Sequence, residues 1–175
     1  MQLTVGQTVV HPHHGPATVL GFMTRTLKGK VVDYVNLEVP AGDLAVSVPV
    51  SSLAEVGIRR IACREMLAGL AQVLCTESVP EPQQWARRVK SQRIELASGD
   101  PLRIAAVVRD LIRRREDRGL SLAERAMLTE SADPLVAELA VAVHTTEDEA
   151  LEVLESLVME RNQDALERHG LLAAA

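Results

Sequence analysis

The residues with most scope for chemistry lie in the stretch Glu81-Pro82-Gln83-Gln84-Trp85-Ala86-Arg87-Arg88-Val89-Lys90-Ser91-Gln92-Arg93. It holds the only tryptophan of a chain that has one Tyr and one Phe besides. Four cations, Arg87, Arg88, Lys90 and Arg93, follow that ring within eight residues. Pro82 suits the first turn of a helix, where its missing N–H costs nothing, so the pattern predicts a helix with Trp85 near its start and a basic body. A large ring beside a cationic helix is suited to wedging into nucleic acid, with cations on phosphates and the ring against a base step. The same residues also suit an ordinary core tryptophan with a solvated arginine face. These residues alone leave both readings open.

Other candidate groups point away from catalysis. His11, His13 and His14 cluster near the N-terminus, but His13 and His14 are adjacent and would point to opposite faces of a strand. No Cys and no acidic pair lies nearby in sequence, so the imidazoles read as structural or turn-stabilising rather than as a metal site. Cys63 and Cys75 match neither metal-ligand spacing nor a disulfide framework and read as buried, reduced thiols. There is no nucleophile motif, no phosphate-binding glycine loop and no His/carboxylate motif, which argues against an enzyme and calls for no cofactor. No apolar run approaches the ~20 residues of a membrane span, and the expectation is a soluble, cytoplasmic protein without a membrane partner.

The elements that must position these groups change character along the chain. From Val5 to Val50 the pattern has period two, interrupted by turn residues. Thr8-Val9-Val10 runs into His11-Pro12-His13-His14-Gly15-Pro16, which reads as a break. Ala17–Thr26 and Val31–Val39 read as strands joined by a turn at Lys28-Gly29-Lys30, with Val31, Asp33, Val35, Leu37 and Val39 on one face. After Pro40-Ala41-Gly42-Asp43 comes Leu44–Val50, where Pro49 suggests that the strand lies at a sheet edge or ends there. Such short strands without helices between them predict a small SH3-like or Tudor-like barrel, a module whose usual work is binding, through a strand edge among other surfaces.

After Gly57 the period becomes helical. Cys63, Met66, Leu67, Leu70, Val73 and Leu74 share one stripe; the Trp85 helix follows to about Ala97. Asp100-Pro101 is an N-cap followed by a first-turn proline, opening a helix with Ile104, Val107, Val108, Leu111 and Ile112 inward and Arg113-Arg114-Arg115 near its end. Ser121–Glu124 and Thr146–Glu149 are capping boxes. Asp133-Pro134 is expected to break the helix between them. The final helix is expected to bury Ala150, Leu151, Leu154, Leu157 and Val158. Beyond it the stripe fades into a frayed tail. The domain plan is therefore residues 1–55, a β module; 56–160, a helical domain; and 161–175, a tail. The fold class is α+β.

Charge sharpens the picture. The net charge is −5. Residues 1–58 carry three Lys/Arg against four Asp/Glu, residues 59–118 thirteen against eight, and residues 119–175 three against twelve. Cations thus concentrate around Trp85, and screening over about 8 Å lets such a patch act on phosphate despite distant acidic residues.

From Val5 to about Met159 the chain resembles the CarD/CdnL family of bacterial RNA polymerase-binding regulators. The resemblance is carried by Val5-Gly6-Gln7-Thr8-Val9-Val10-His11-Pro12-His13-His14-Gly15, by Thr24-Arg25-Thr26 with Lys28-Gly29, by Tyr34, and by Gly42-Asp43-Leu44 with Val46 and Val48-Pro49. It continues through Trp85, Arg87-Arg88 and Lys90, then Leu96-Ala97-Ser98-Gly99-Asp100, Val107–Leu111, and Arg118-Gly119-Leu120-Ser121 with Glu124. It implies a Tudor-like N-terminal module that docks on the RNA polymerase β subunit, with Arg25, Thr26, Leu44, Val46, Ser47 and Pro49 at the contact. It also implies a helical domain that binds promoter DNA at the upstream edge of the transcription bubble. There Trp85 would be a minor-groove wedge stabilising the open complex, with Arg87, Arg88, Lys90, Arg93 and Arg114 near the phosphates. The sequence departs from the family at His11, where an aromatic residue is more common, at Ser47, where relatives commonly place an arginine, and at Asp133-Pro134. These departures suggest a divergent paralogue. The function implied is that of a non-enzymatic, monomeric transcription regulator with slight DNA sequence preference, acting at the nucleoid. The alternative is an interaction module of the same fold whose polymerase or DNA contact is weakened.

Overall fold

The computed structural model describes residues 2–27, 29–40, 44–80 and 82–162. The expected turn residues Lys28, Ala41, Gly42 and Asp43, together with Glu81 and the tail beyond Asn162, lie outside the described residues. The chain divides into two compact units, Met1–Ile61 and Ala62–Ala175.

The first unit is an antiparallel sheet of β1 (Thr8–His11), β2 (Gly15–Leu27), β3 (Lys30–Val39), β4 (Leu44–Pro49) and β5 (Arg59–Arg60), in the order β4-β3-β2-β1-β5. Alternation does what period two predicts: Val35, Leu37 and Val39 of β3 are buried with Val9, Ala17, Val19 and Val48. Asp33 and Val31, on the same predicted face, lie beyond this core and are exposed. A register shift between Val19 and Gly21 separates the core half of β2 from its exposed half. β4 is an edge strand, which accommodates Pro49 as the sequence predicts. The break read at His11–Pro16 is tighter than expected. His11 still belongs to β1 and pairs with Gly15 at the start of β2. The turn closes because the His13 N–H donates to His11 Nδ1 at 3.2 Å. His11 is buried, with its ring 4.5 Å from that of His14.

After a 3₁₀ turn (Val50–Ser52) and the short α1 (Leu53–Val56), Gly57 caps the helix at φ +86°. The positive φ favours glycine at this position, and a Cβ there would also come within 3.3 Å of Pro12 Cγ, a tight contact. This residue returns the chain into β5, a strand too short for its sequence pattern to reveal.

The second unit comprises α2 (Arg64–Cys75), α3 (Trp85–Leu96), α4 (Pro101–Arg118), α5 (Leu122–Val143) and α6 (Glu147–Glu160). Leu67, Leu70 and Leu74 of α2 pack with Ala105, Val108 and Ile112 of α4, Leu135 and Leu139 of α5, and Val153, Leu154 and Leu157 of α6. A smaller cluster of Val89, Val107, Leu111, Leu120 and Met127 seats α3 on α4 and α5. Three expectations need correction. Cys63 is the exposed N-cap residue of α2, while Cys75 is part-buried and packs against the helical core. In α6 Leu151 is partly exposed and Val153 takes its place in the core. The helix predicted to break at Pro134 runs unbroken through it. The carbonyl that Pro134 leaves without an N–H belongs to Glu130, on the exposed side, where water can serve it. Meanwhile Ala132, Leu135, Val136 and Leu139 are buried around the proline. Their burial offsets the ~3 kcal/mol that a mid-helix proline costs.

Part of the arginine cluster is architectural. Arg113 donates to the carbonyls of Leu74 (3.0 Å) and Thr76 (2.7 Å) at the end of α2, and to that of Val158 (3.0 Å) near the end of α6. Arg109 adds a bond to the Val73 carbonyl at 3.0 Å. One side of α4 thereby satisfies the orphan carbonyls of two other helices. The sequence connects these arginines only to the dipole of their own helix.

Candidate nucleic-acid interface

α3 begins at Trp85 itself. Pro82 lies outside the helix, and Gln84 serves as N-cap without a side-chain bond to the first turn. The first N–H groups of α3 therefore keep their positive field, which favours an anion. Trp85 is 51% exposed, which removes the core reading of this residue. Its indole N–H donates to Ser121 Oγ at 3.2 Å. Ser121 is the N-cap of α5, so the ring is tied by its polar edge to a second helix while its apolar surface stays open.

The support beneath this contact is a buried charge cluster. Ser121 donates from its backbone N–H (2.9 Å) and its hydroxyl (2.7 Å) to Glu124 Oε2. The other carboxylate oxygen, Oε1, accepts from Arg88 Nε (3.0 Å) and Nη2 (2.9 Å), and Arg114 Nε lies 3.1 Å from it. Arg88 also reaches the Pro82 carbonyl at 3.4 Å, which holds the approach to α3. Burial would raise the carboxyl pKa of Glu124. The hydrogen bonds from the Ser121 hydroxyl and backbone and from Arg88, with the Arg114 charge, outweigh it and hold the group at about 2.

The predicted phosphate contacts therefore separate into two sets. Arg87, Lys90 and Arg93 are exposed on α3. Among the described residues none of the three has an acidic partner within ion-pair distance. Their i, i+3 spacing makes them neighbours on the helix surface. Lys90 and Arg93 rim a shallow groove of about 420 Å³ floored by Trp85, Ala86, Val89, Ile94 and Ala97. Arg88, expected among the phosphate contacts, is instead buried and bound to Glu124, because its place on α3 faces the start of α5. Arg114 is likewise drawn to Glu124 and keeps only partial exposure. Both lie against Glu124, whose other oxygen is bound by Ser121, the acceptor of the Trp85 indole N–H. The sequence marks Ser121 and Glu124 as a capping box, which they are, but their bonds to residues of α3 cross 36 positions and leave no local signal.

The residues predicted to contact polymerase lie on two strands of the β module. Leu44, Val46, Ser47 and Pro49 belong to the edge strand β4; Arg25 and Thr26 belong to the exposed half of β2. Arg25 stacks over the Tyr34 ring, 5.9 Å from its centroid. The Ser47 hydroxyl donates to Asn36 Oδ1 at 2.7 Å across the strand pair. Val46 is opposite Leu37 and packs on the module's own core, so its side chain is directed away from any partner at the edge.

Comparison with known proteins matches both units. A family model described as "CarD-like/TRCF RID domain" fits residues 3–62, and one described as "CarD, C-terminal domain" fits residues 69–155. The chain is 23% identical over 143 residues to "Putative transcription factor YdeB" of Bacillus subtilis (strain 168), an alignment covering 82% of this chain and 94% of that protein. With its β module followed by helices, and the two family models in the same order along it, the chain belongs to the CarD-like family of transcription factors.

Proposed function

We propose that this protein is a non-enzymatic regulator that binds the RNA polymerase β subunit through the β4 edge of its N-terminal module and promoter DNA through α3, and that it prolongs the life of the open complex. The observation that carries the reading is Trp85: half-exposed, fixed by Ser121, and followed on the same helix by exposed Arg87, Lys90 and Arg93. The cations hold phosphates, and the ring enters the minor groove at the upstream edge of the bubble. An inserted ring offsets part of the few kcal/mol spent on unstacking a step, and only DNA already distorted accepts it. Binding one state better than another is what shifts their equilibrium. Phosphate contacts and a wedge read shape more than base identity, so sequence preference is slight. The protein acts as a monomer at the nucleoid.

A second reading is favoured by Ser47. Its short neutral side chain is engaged with Asn36, where the family commonly offers an arginine. A charged interfacial hydrogen bond contributes about 1–3 kcal/mol, so its loss weakens docking on polymerase and leaves an interaction module for another partner.

The test is the lifetime of the open promoter complex with wild type and with Trp85→Ala. Extension by wild type and not by the variant is the expected result. No extension by wild type, with no binding to polymerase, turns the reading to the alternative and locates the loss at Ser47.

A further inference from the structure

The joint between the two units is short, and the chain is pinned where the second unit begins. β5 ends at Arg60, which pairs with Val9. Ile61 is the last residue of the first unit and Ala62 the first of the second. The Ala62 N–H donates to Glu138 Oε1 of α5 at 2.9 Å. A single residue, Ile61, therefore separates the last ladder position of the β unit from a hydrogen-bonded anchor inside the helical unit.

Glu138 occupies a position that packing alone would give to an apolar residue. It is 2% exposed, with Leu135 and Leu139 buried beside it on α5. A leucine would fill a similar volume without the desolvation that a carboxylate carries. What the carboxylate adds is an acceptor for a backbone donor 76 positions away, just before α2 begins. Glu124 has a matching place on the same helix. It is buried 14 positions earlier and holds Arg88 of α3. Fourteen residues make nearly four turns, so the two carboxylates leave α5 on nearly the same side, about 21 Å apart along the axis. The helix runs unbroken through Pro134 between them. One continuous rod thus holds α3 at one carboxylate and the entry of the chain at the other.

We propose that Glu138 is a positioning residue that takes the slack out of the joint, so that docking of the β unit on polymerase delivers α3 to the DNA without a search. The proposal rests on the reading of this protein as a bridge between polymerase and promoter DNA. A bridge gains from the effective concentration that its connection sets, and a slack connection spreads the second contact over a larger volume. Glu138 is buried and touches neither partner. Its removal therefore weakens the bridge and leaves each single contact as it was.

The test measures three quantities for the full chain: binding to polymerase alone, binding to forked DNA alone, and the lifetime of the open promoter complex. It compares wild type, Glu138→Leu, Glu138→Gln, an insertion of two glycines between Ile61 and Ala62, and the insertion combined with Glu138→Leu. Glu138→Leu should keep both single affinities and shorten the lifetime about five- to tenfold, the effect of ordering the backbone of about one residue on docking. Glu138→Gln keeps an oxygen for the Ala62 N–H and should keep the wild-type lifetime. The insertion should shorten the lifetime, and adding Glu138→Leu to it should shorten it no further, because both loosen one joint. A wild-type lifetime with Glu138→Leu overturns the proposal. So does a loss of fork binding that matches the loss of lifetime, since that marks a defect of the helical unit itself. Glu138→Gln behaving like Glu138→Leu, or losses that add in the combined variant, overturns the anchor as well. Failure of wild type to prolong the complex overturns the bridging reading, and this proposal falls with it.

Discussion

At the scale of single residues, Glu124 matters more than any cation it holds. Its carboxylate takes two bonds from Ser121, which also accepts the indole N–H of Trp85, and faces two arginines. Glu124→Gln keeps an oxygen for the capping bond but leaves Arg88 and Arg114 without a counter-charge. Removing one partner of a buried pair costs about 3–5 kcal/mol, and the retained hydrogen bonds place this variant near the lower end. Urea unfolding measures the loss; adding Arg88→Met should restore part of it, and a full additive loss would show that the pair is not coupled. Trp85 and its cations stood out in the sequence as a candidate site. The division of the cations did not, since Arg87 and Arg88 are adjacent and identical and only their placement around α3 sends one outward and one inward.

At the scale of elements, α5 shows packing overriding local preference. Because the helix continues through Pro134, a residue with an N–H at this position can donate to the freed carbonyl of Glu130. Pro134→Ala should therefore stabilise the protein, by about 1–2 kcal/mol once the greater freedom of the unfolded chain is counted against it. A lowered melting temperature would instead show that the half-buried ring contributes more packing than the missing bond costs. The capping boxes at Ser121 and Thr146 and the N-cap at Asp100 were readable because each is made from residues close in sequence. The caps that Arg113 provides for α2 and α6 span 37 to 45 residues, and no window of sequence holds both ends of them.

At the scale of the whole molecule, the two units should respond to acid over different ranges. Burial first, and then the charges of His14 and His13, lower the His11 pKa from 6.5 to about 4. The unfolded chain then binds the extra proton more readily, so stability of the β unit falls as pH drops from about 6.5 through 4. Glu124 is lowered from 4.5 to about 2, so its contribution is full above about 4.5 and is lost as pH falls through 2. Amide hydrogen exchange across a pH series should show β1 and the start of β2 loosening before the first turns of α3 and α5. His11→Phe should remove the earlier transition and leave the later one; loss of both units together at one pH would contradict the assignment.

Taken alone, the sequence determined the succession of a period-two module and a set of helices, most of the helix starts, the edge position of Pro49 and the candidacy of Trp85. Each of these depends on residues within a few positions of one another, where steric limits and local hydrogen bonds act. Tertiary structure decided the rest: that Trp85 is open rather than buried, that Arg88 is buried against Glu124, and that α5 does not break. These depend on which surfaces meet when distant helices pack, and burial and charge compensation act only after they have met.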